Sequence, residues 1–211
     1  MRKHIYLMRH GESEYNAKKI VQGHIDTSLT DRGFKQAKLA GEFLKDKGIK
    51  KVISSDLKRA YQTAKTVSEI LSVPLLTDNR IREMHFGTWE GMSYDYIYQN
   101  HIEDFHNWLS NPVKHPLPKQ ESVESFEKRL KLFLEDLSNH DEDNILVVGH
   151  GGSIQGLLCI SFGISFENLW KFKHNNTGIS LIEVRDRKFE VKFINMSYHL
   201  EKLEEKSIVM L

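Results

Sequence analysis

The sequence predicts an α/β fold: a three-layer α/β/α sandwich with a largely parallel central sheet, helices on both faces and one inserted lid of short helices and loops. Three observations predict it. Short apolar runs of strand length alternate with segments of helical periodicity. Two runs, "IYLM" at 5–8 and "ILVV" at 145–148, are continuously apolar, as strands buried on both faces are. Residues 81–120 break the alternation with dense aromatics (Phe86, Trp89, Tyr94, Tyr96, Tyr98, Phe105, Trp108) and with Pro112, Pro116 and Pro118.

The elements follow in order. Residues 4–8 read as a buried strand. Thr30-Asp31 starts a helix carrying Phe34, Ala37, Ala40, Phe43 and Leu44 on one face, and Gly48 stops it. Val52-Ile53 is a short strand. Asp56 opens the next helix, with Leu57, Tyr61, Ala64, Val67, Ile70 and Leu71 as its apolar face. Residues 74–76 give another strand. After the insertion, Val123, Phe126, Leu130, Phe133 and Leu137 mark an amphipathic helix. "NILVVGHGG" at 144–152 is a strand running into a turn, and a helix begins at 152. Residues 178–184 and 188–194 read as a hairpin turning near Asp186.

Length and composition bound the class. The 211 residues suit a single domain, 1–211, with the lid insertion at about 84–120. A hydrophobic fraction of 39% with 28% charged residues is globular, and the net charge of +1 gives no overall field for nucleic acid or a membrane. Cys159 is the one cysteine, so no disulfide forms within the chain. No stretch reaches membrane-spanning length and none reads as a signal peptide, so a cytoplasmic location is expected. His85, His101, His106 and His115 lack ligand spacing; they read as surface imidazoles, and no metal is expected.

Two apolar strands end alike, in "MRHGE" at 8–12 and "VGHGG" at 148–152. Ligands of open α/β sheets gather at the carboxyl ends of strands, which brings His10 and His150 to one crevice. A helix beginning near Gly152 turns its positive end toward it. The 51–54 strand runs into "SSDLKRAYQTA" with Arg59, and "RIREMHFGTWEG" supplies Glu83. Forked guanidinium groups on Arg9 and Arg59 suit a tetrahedral oxyanion, phosphate above all. A neutral imidazole between them, its other N–H held by a backbone carbonyl, is a nucleophile toward phosphorus. A second, protonated imidazole stabilises equatorial oxygens. A carboxylic acid protonates the leaving oxygen.

The ordered set resembles the histidine phosphatase superfamily, the phosphoglycerate mutase-like family, over nearly the whole chain. "RHGES" is similar to its nucleophile motif, "SSDLKRAYQTA" to its second arginine motif and "VGHGG" to its second histidine motif. The resemblance implies that His10 becomes a phosphohistidine. Arg9, Arg59 and His150 would bind the transferring phosphoryl group, and Glu83 would be the proton donor, then the base for water. Glu90 lies in the same loop and competes for that role. Asn16, Gln22, Gly23 and Gly151 match further phosphate-binding positions. The resemblance implies no cofactor, a small phosphomonoester as substrate, and leaves a homodimer open.

Within the family, residues 83–128 argue for hydrolysis. They contain no arginine, where mutases of the family carry several to grip a carboxylate. "FGTWEG" and "INMSYHL" look like α-ribazole-5′-phosphate phosphatases and broad-specificity acid phosphatases of the family; phosphoserine is a further candidate substrate. A phosphoglycerate mutase and a non-catalytic phospho-ligand binding module are the alternatives. The arginines are expected to hold His10 neutral, and the need for protonated Glu83 implies an acidic to neutral optimum.

Overall fold

The structure, a computed structural model, describes residues 2–140, 142–186, 188–201 and 203. Strands β1 (Arg2–Arg9), β2 (Lys51–Ser54), β3 (Leu75–Thr77), β4 (Asn144–Gly149), β5 (Ile179–Arg185) and β6 (Lys188–Met196) form one mixed sheet in the order β3-β2-β4-β1-β5-β6. The first four in that order are parallel, and β5 and β6 are antiparallel to their neighbours. The helices are α1 (Glu14–Ala17), α2 (Asp31–Leu44), α3 (Lys58–Leu71), α4 (Tyr94–Asn100), α5 (Ile102–Ser110), α6 (Val123–Ser138) and α7 (Gly151–Phe162).

Alternation along the strands splits the core into two layers. Ile5, Leu7, Ile53, Ile145 and Val147 face α6 and α7. Tyr6, Met8, Val52, Leu146 and Val148 face α2 and α3. The 3.6-residue period of α6 buries Val123, Phe126, Leu130, Phe133, Leu134 and Leu137 on the sheet, each worth about 1.5–3 kcal/mol when fully buried. This is the expected three-layer α/β/α arrangement.

Element boundaries follow local chemistry. Thr30 accepts a hydrogen bond from Gly33 N at 3.1 Å and caps α2, as its sequence position predicts. Gly48, at φ +65°, ends the 3-10 turn that follows α2. The hairpin between β5 and β6 turns through Asp186 at φ +51°.

Two expectations fail around α3. Asp56 does not cap it: the helix begins at Lys58 with no side-chain cap at Leu57. The Asp56 carboxylate instead takes Arg82 in a forked pair at 2.7 and 2.5 Å, while Asp26 accepts from the Lys58 N–H. Tyr61, expected on the apolar face, is 40% exposed. The buried stripe of α3 includes Arg59, Thr63 and Ser68 beside Ala60, Ala64 and Val67. Phe34 of α2 is also exposed. Apolar periodicity misplaces a helix face where polar groups are buried for another purpose.

Residues 84–120 form a 3-10 turn (Gly87–Trp89), α4, α5 and a proline-bearing loop. There Trp89, Ile97, Phe105, Trp108 and Leu117 pack with Val21 into a small separate core. Among the described residues no helix is long and apolar enough to cross a membrane.

Candidate active site

Sheet register brings the two histidines together. Arg9 of β1 pairs with Gly149 of the parallel neighbour β4, so His10 and His150 leave adjacent strands at the same height. Ser54 of β2 pairs with Val148, which sets Ser55 beside them. The His10 and His150 ring centroids lie 5.2 Å apart.

His10 is 2% exposed. Its Nδ1 lies 2.6 Å from the Gly11 carbonyl, which fixes the proton on Nδ1 and leaves Nε2 with its lone pair. Burial first, then the Arg59 and Arg9 charges, push its pKa well below the ordinary imidazole value, so the ring is neutral. The expected neutrality holds, with desolvation ahead of the arginines as its cause.

Arg59, 1% exposed, donates through Nη1 to the Ile25 carbonyl at 3.0 Å and through Nη2 to Gly23 O at 2.8 Å. Arg9 donates through Nη1 to His174 O at 2.7 Å. Burial lowers both guanidinium pKa values, Arg59 to about 10, with Glu83 the largest opposing influence on each. Both stay charged at neutral pH. The Nε–H groups of both are buried and have no protein partner among the described residues. A buried unpaired donor on a cation is costly, and an oxyanion satisfies it.

His150 departs from expectation. It is fully buried, its ring centroid 5.2 Å from that of His10. Burial first, then Arg59 and His10, depress its pKa far below the ordinary value, so the ring is neutral in the unliganded site and not protonated as the sequence reading had it. Its Nε2 meets Ser55 Oγ at 2.8 Å, and Ser55 Oγ also accepts from Leu57 N at 3.3 Å. With the Ser55 hydroxyl donating to Nε2, the ring proton sits on Nδ1 as a free donor; Nδ1 is buried without a partner among the described residues.

Glu83 and Glu90 separate cleanly. Glu83 lines the cleft, its Oε1 accepting from Met84 N and its Oε2 from Gly152 N, both at 3.0 Å. Glu90 faces away and binds His24 N at 3.0 Å and Phe86 N at 2.9 Å. A Cβ on Gly152 would collide with the Glu83 carboxylate and approach Trp170 at 3.1 Å, so any larger residue there must displace that carboxylate.

The predicted binding positions all reach the cleft, by different routes. Gly151 lies between Arg9 and Glu83: a Cβ on it would be 3.8 Å from Arg9 Nε and from Glu83 Oε2. Gly23, at φ +52° and backed against Glu90, presents its carbonyl to Arg59. Asn16 caps α1 through the Ser13 box and accepts from Asn176 Nδ2 at 3.2 Å. Gln22 Oε1 accepts from Ser13 Oγ and Thr27 Oγ1.

These groups share one cavity of about 640 Å³. Its floor is the Arg9–His10–Arg59–Glu83 group and the Gly151–Gly152 helix start. Its lid wall is Phe86, Trp89, Tyr94, Phe105, Trp108 and Trp170. The rings pack on each other, with Trp108 4.5 Å from Trp170 and 5.5 Å from Phe86 between centroids. Among the described residues no group of three or more His, Cys, Asp and Glu side chains could hold a metal.

Sequence reasoning missed several residues here. The 174–178 loop straps β1: His174 O holds Arg9, Asn176 Nδ2 donates to His10 O at 3.0 Å, and Thr177 N donates to Arg9 O at 3.0 Å. An antiparallel reading of the 178–184 strand would have put this loop at the right edge. Arg32 and Lys173 bring cations to the cleft from outside the lid. Ser55, first after β2, was findable from register alone.

The histidine phosphatase superfamily (branch 1) model matches residues 5–197. A Hydrogenobacter thermophilus protein provisionally named phosphoserine phosphatase 2 is 46% identical over 202 residues, covering 95% of this chain and 99% of that one. The adenosylcobalamin/α-ribazole phosphatase of Escherichia coli is 30% identical over 90% of this chain and 95% of its own. The solved structure of Bacillus stearothermophilus YhfR superposes with a TM-score of 0.87 at 27% identity, over 94% of this chain and all of that one. A strand-end arginine–histidine pair, its echo on the neighbouring strand and a match over nearly the full length agree: the chain belongs to the histidine phosphatase superfamily.

Proposed function

We propose that this chain hydrolyses a small organic phosphomonoester, with phosphoserine and α-ribazole-5′-phosphate as leading candidates, through a phosphohistidine on His10. Membership and phosphatase-named relatives make it a histidine phosphatase, a phosphoric monoester hydrolase acting on small phosphates. The observation that supports the mechanism is the pairing of a neutral His10, its Nδ1–H fixed on Gly11, with two buried guanidinium groups whose Nε–H donors lack partners.

The phosphoryl oxygens take the Arg9 and Arg59 Nε–H donors and the His150 Nδ1–H, with the start of α7 adding its positive end. His10 Nε2 attacks phosphorus in line as the ester P–O bond breaks, and Glu83 gives its proton to the departing oxygen. Water then attacks the phosphohistidine, Glu83 takes its proton, and phosphate leaves with His10 neutral again. No step needs a metal, and the reading places the enzyme in the cytoplasm, acting on a free small molecule as a monomer or homodimer. Hydrolysis is favoured over mutase chemistry because the lid wall carries rings and no cation; Arg32 and Lys173 lie outside it.

A panel of phosphoserine, α-ribazole phosphate, 3-phosphoglycerate and nitrophenyl phosphate, assayed with EDTA present, tests this. Net phosphate release that falls on the order of 10⁴-fold in His10→Ala is expected. Interconversion of phosphoglycerates without phosphate release, or turnover that survives in His10→Ala, contradicts it.

A further inference from the structure

Arg129 stands just beyond the arginine-free lid and takes no part in the cleft wall. All five of its N–H donors are used. Nε and one Nη2 proton form a fork on Glu121, at 2.7 Å to Oε1 and 2.9 Å to Oε2. Nη1 donates to Arg80 O at 2.5 Å and Arg82 O at 2.8 Å, and Nη2 donates to Glu83 O at 2.8 Å. The guanidinium plane lies over Phe126, 4.6 Å from its centroid. The backbone of Glu121 closes the other end, donating to His85 O at 2.9 Å.

The segment this holds is the one that presents Glu83. After β3 the chain makes a 3-10 turn (Asn79–Ile81) and then runs extended at Arg82, with no strand ladder of its own. Its carbonyls at 80, 82 and 83 converge on one side chain from α6. Only His24 Nε2, at 2.7 Å from Glu83 O, shares that duty among the bonds described. A planar fork with five fixed donors satisfies three carbonyls and a carboxylate at once; a lysine ammonium, with three donors at one point, does not.

We propose that Arg129, braced by Glu121, is a positioning residue for proton transfer: it fixes the 80–83 backbone and through it the place of the Glu83 carboxyl relative to the leaving oxygen. This rests on the role given to Glu83 above. The step it serves is the one in which the ester P–O bond breaks, the His10 Nε2–P bond forms and the Glu83 proton passes to the departing alkoxide. A misplacement of about 1 Å in such a group costs on the order of 10²-fold.

Leaving-group dependence tests it, read as kcat/KM so that only steps through P–O cleavage count. Arg129→Lys keeps the charge and loses the fork. With an alkyl ester such as phosphoserine, whose alkoxide needs the proton, kcat/KM is expected to fall roughly 10- to 100-fold. With nitrophenyl phosphate, whose phenolate leaves unaided, it is expected to fall less than about 3-fold. Glu121→Gln, which keeps the three carbonyl bonds, shifts the same ratio in the same direction by less, and it decides the matter if Arg129→Lys does not fold. Equal losses on both esters, or none on either, overturn the positioning role. Wild-type enzyme that turns over neither ester overturns the underlying reading as well; wild-type turnover lost in His10→Ala keeps the two failures distinct.

Discussion

At the phosphate end of the cleft, side chains arrive from three parallel strands, and sheet register sets their height. Arg9 is opposite Gly149 and Ser54 opposite Val148, so His10, Ser55 and His150 follow without a loop to choose their course. At the lid end the wall is a set of rings from one inserted segment and Trp170, held mainly by each other. The first region is polar, buried and incomplete, with guanidinium Nε–H groups and a histidine N–H lacking partners. The second is largely apolar and packed ring on ring, although Trp170 Nε1 is also buried without a partner among the described residues. A scaffold that fixes donors to a fraction of an ångström suits the common phosphoryl group, while an aromatic insertion can change leaving-group preference without disturbing it. On the mechanism proposed above, chemistry and selectivity are separable in this molecule.

The largest test of that division is at the point where the two regions meet. Glu83→Gln keeps size and one acceptor oxygen, so it keeps one of the two bonds from Met84 N and Gly152 N, but it cannot give a proton. For an alkyl phosphate, kcat/KM should fall about 10²- to 10⁴-fold, with a much smaller fall for nitrophenyl phosphate. Equal losses would mean that Glu83 serves the phosphate end alone.

Trp108→Ala strikes only the lid. Trp108 is buried, bonds Gln120 Oε1 at 3.0 Å and packs on Phe86 and Trp170. Its loss should destabilise the fold by about 3–5 kcal/mol and reorder substrate preference by roughly 10-fold in KM. Vanadate inhibition should stay within about 3-fold, since the groups facing the phosphoryl oxygens are untouched. A parallel loss of vanadate affinity would dissolve the separation.

A smaller effect concerns stability. His10, His150, His174 and His199 are neutral in the fold, burial depressing each pKa, to about 4 for His174 and His199. Unfolded imidazoles titrate near 6.5. Above that value neither state binds the proton and the folded state has its full margin. As pH falls from about 6.5 toward 4 the unfolded chain takes up protons that the fold refuses, and each imidazole removes about 1.4 kcal/mol per pH unit. Urea melts at pH 7.5, 6 and 5 should show this slope. Vanadate should flatten it, because an anion beside His10 and His150 favours their charged forms. A slope indifferent to vanadate would contradict the placing of the anion beside them.

Much of this was readable in the sequence where one periodicity ruled. The run at 145–148 and the stripe of α6 admit one reading each, and the paired strand-end histidines announce a shared edge. What escaped involved groups acting across the chain. Asp56 looked like a cap but is taken by Arg82, and Asp26 reaches the helix start in its stead. The buried face of α3 was misjudged because Arg59 occupies it. Arg129 binds carbonyls more than 45 positions earlier, which no local pattern records. The 174–178 strap depends on β5 running antiparallel to β1, a direction that a hairpin signal leaves open. His150 was expected to be charged, and only its burial shows otherwise.

The central claim is that the phosphate end carries the phosphoryl group covalently on His10. Rapid quenching of the enzyme with isotopically labelled alkyl phosphate, followed by peptide mapping, tests it most directly. The account predicts an acid-labile label on Nε2 of His10, formed and lost at rates compatible with turnover and absent from His10→Ala protein. Turnover with no label at His10, or a kinetically competent label on another residue, would contradict it.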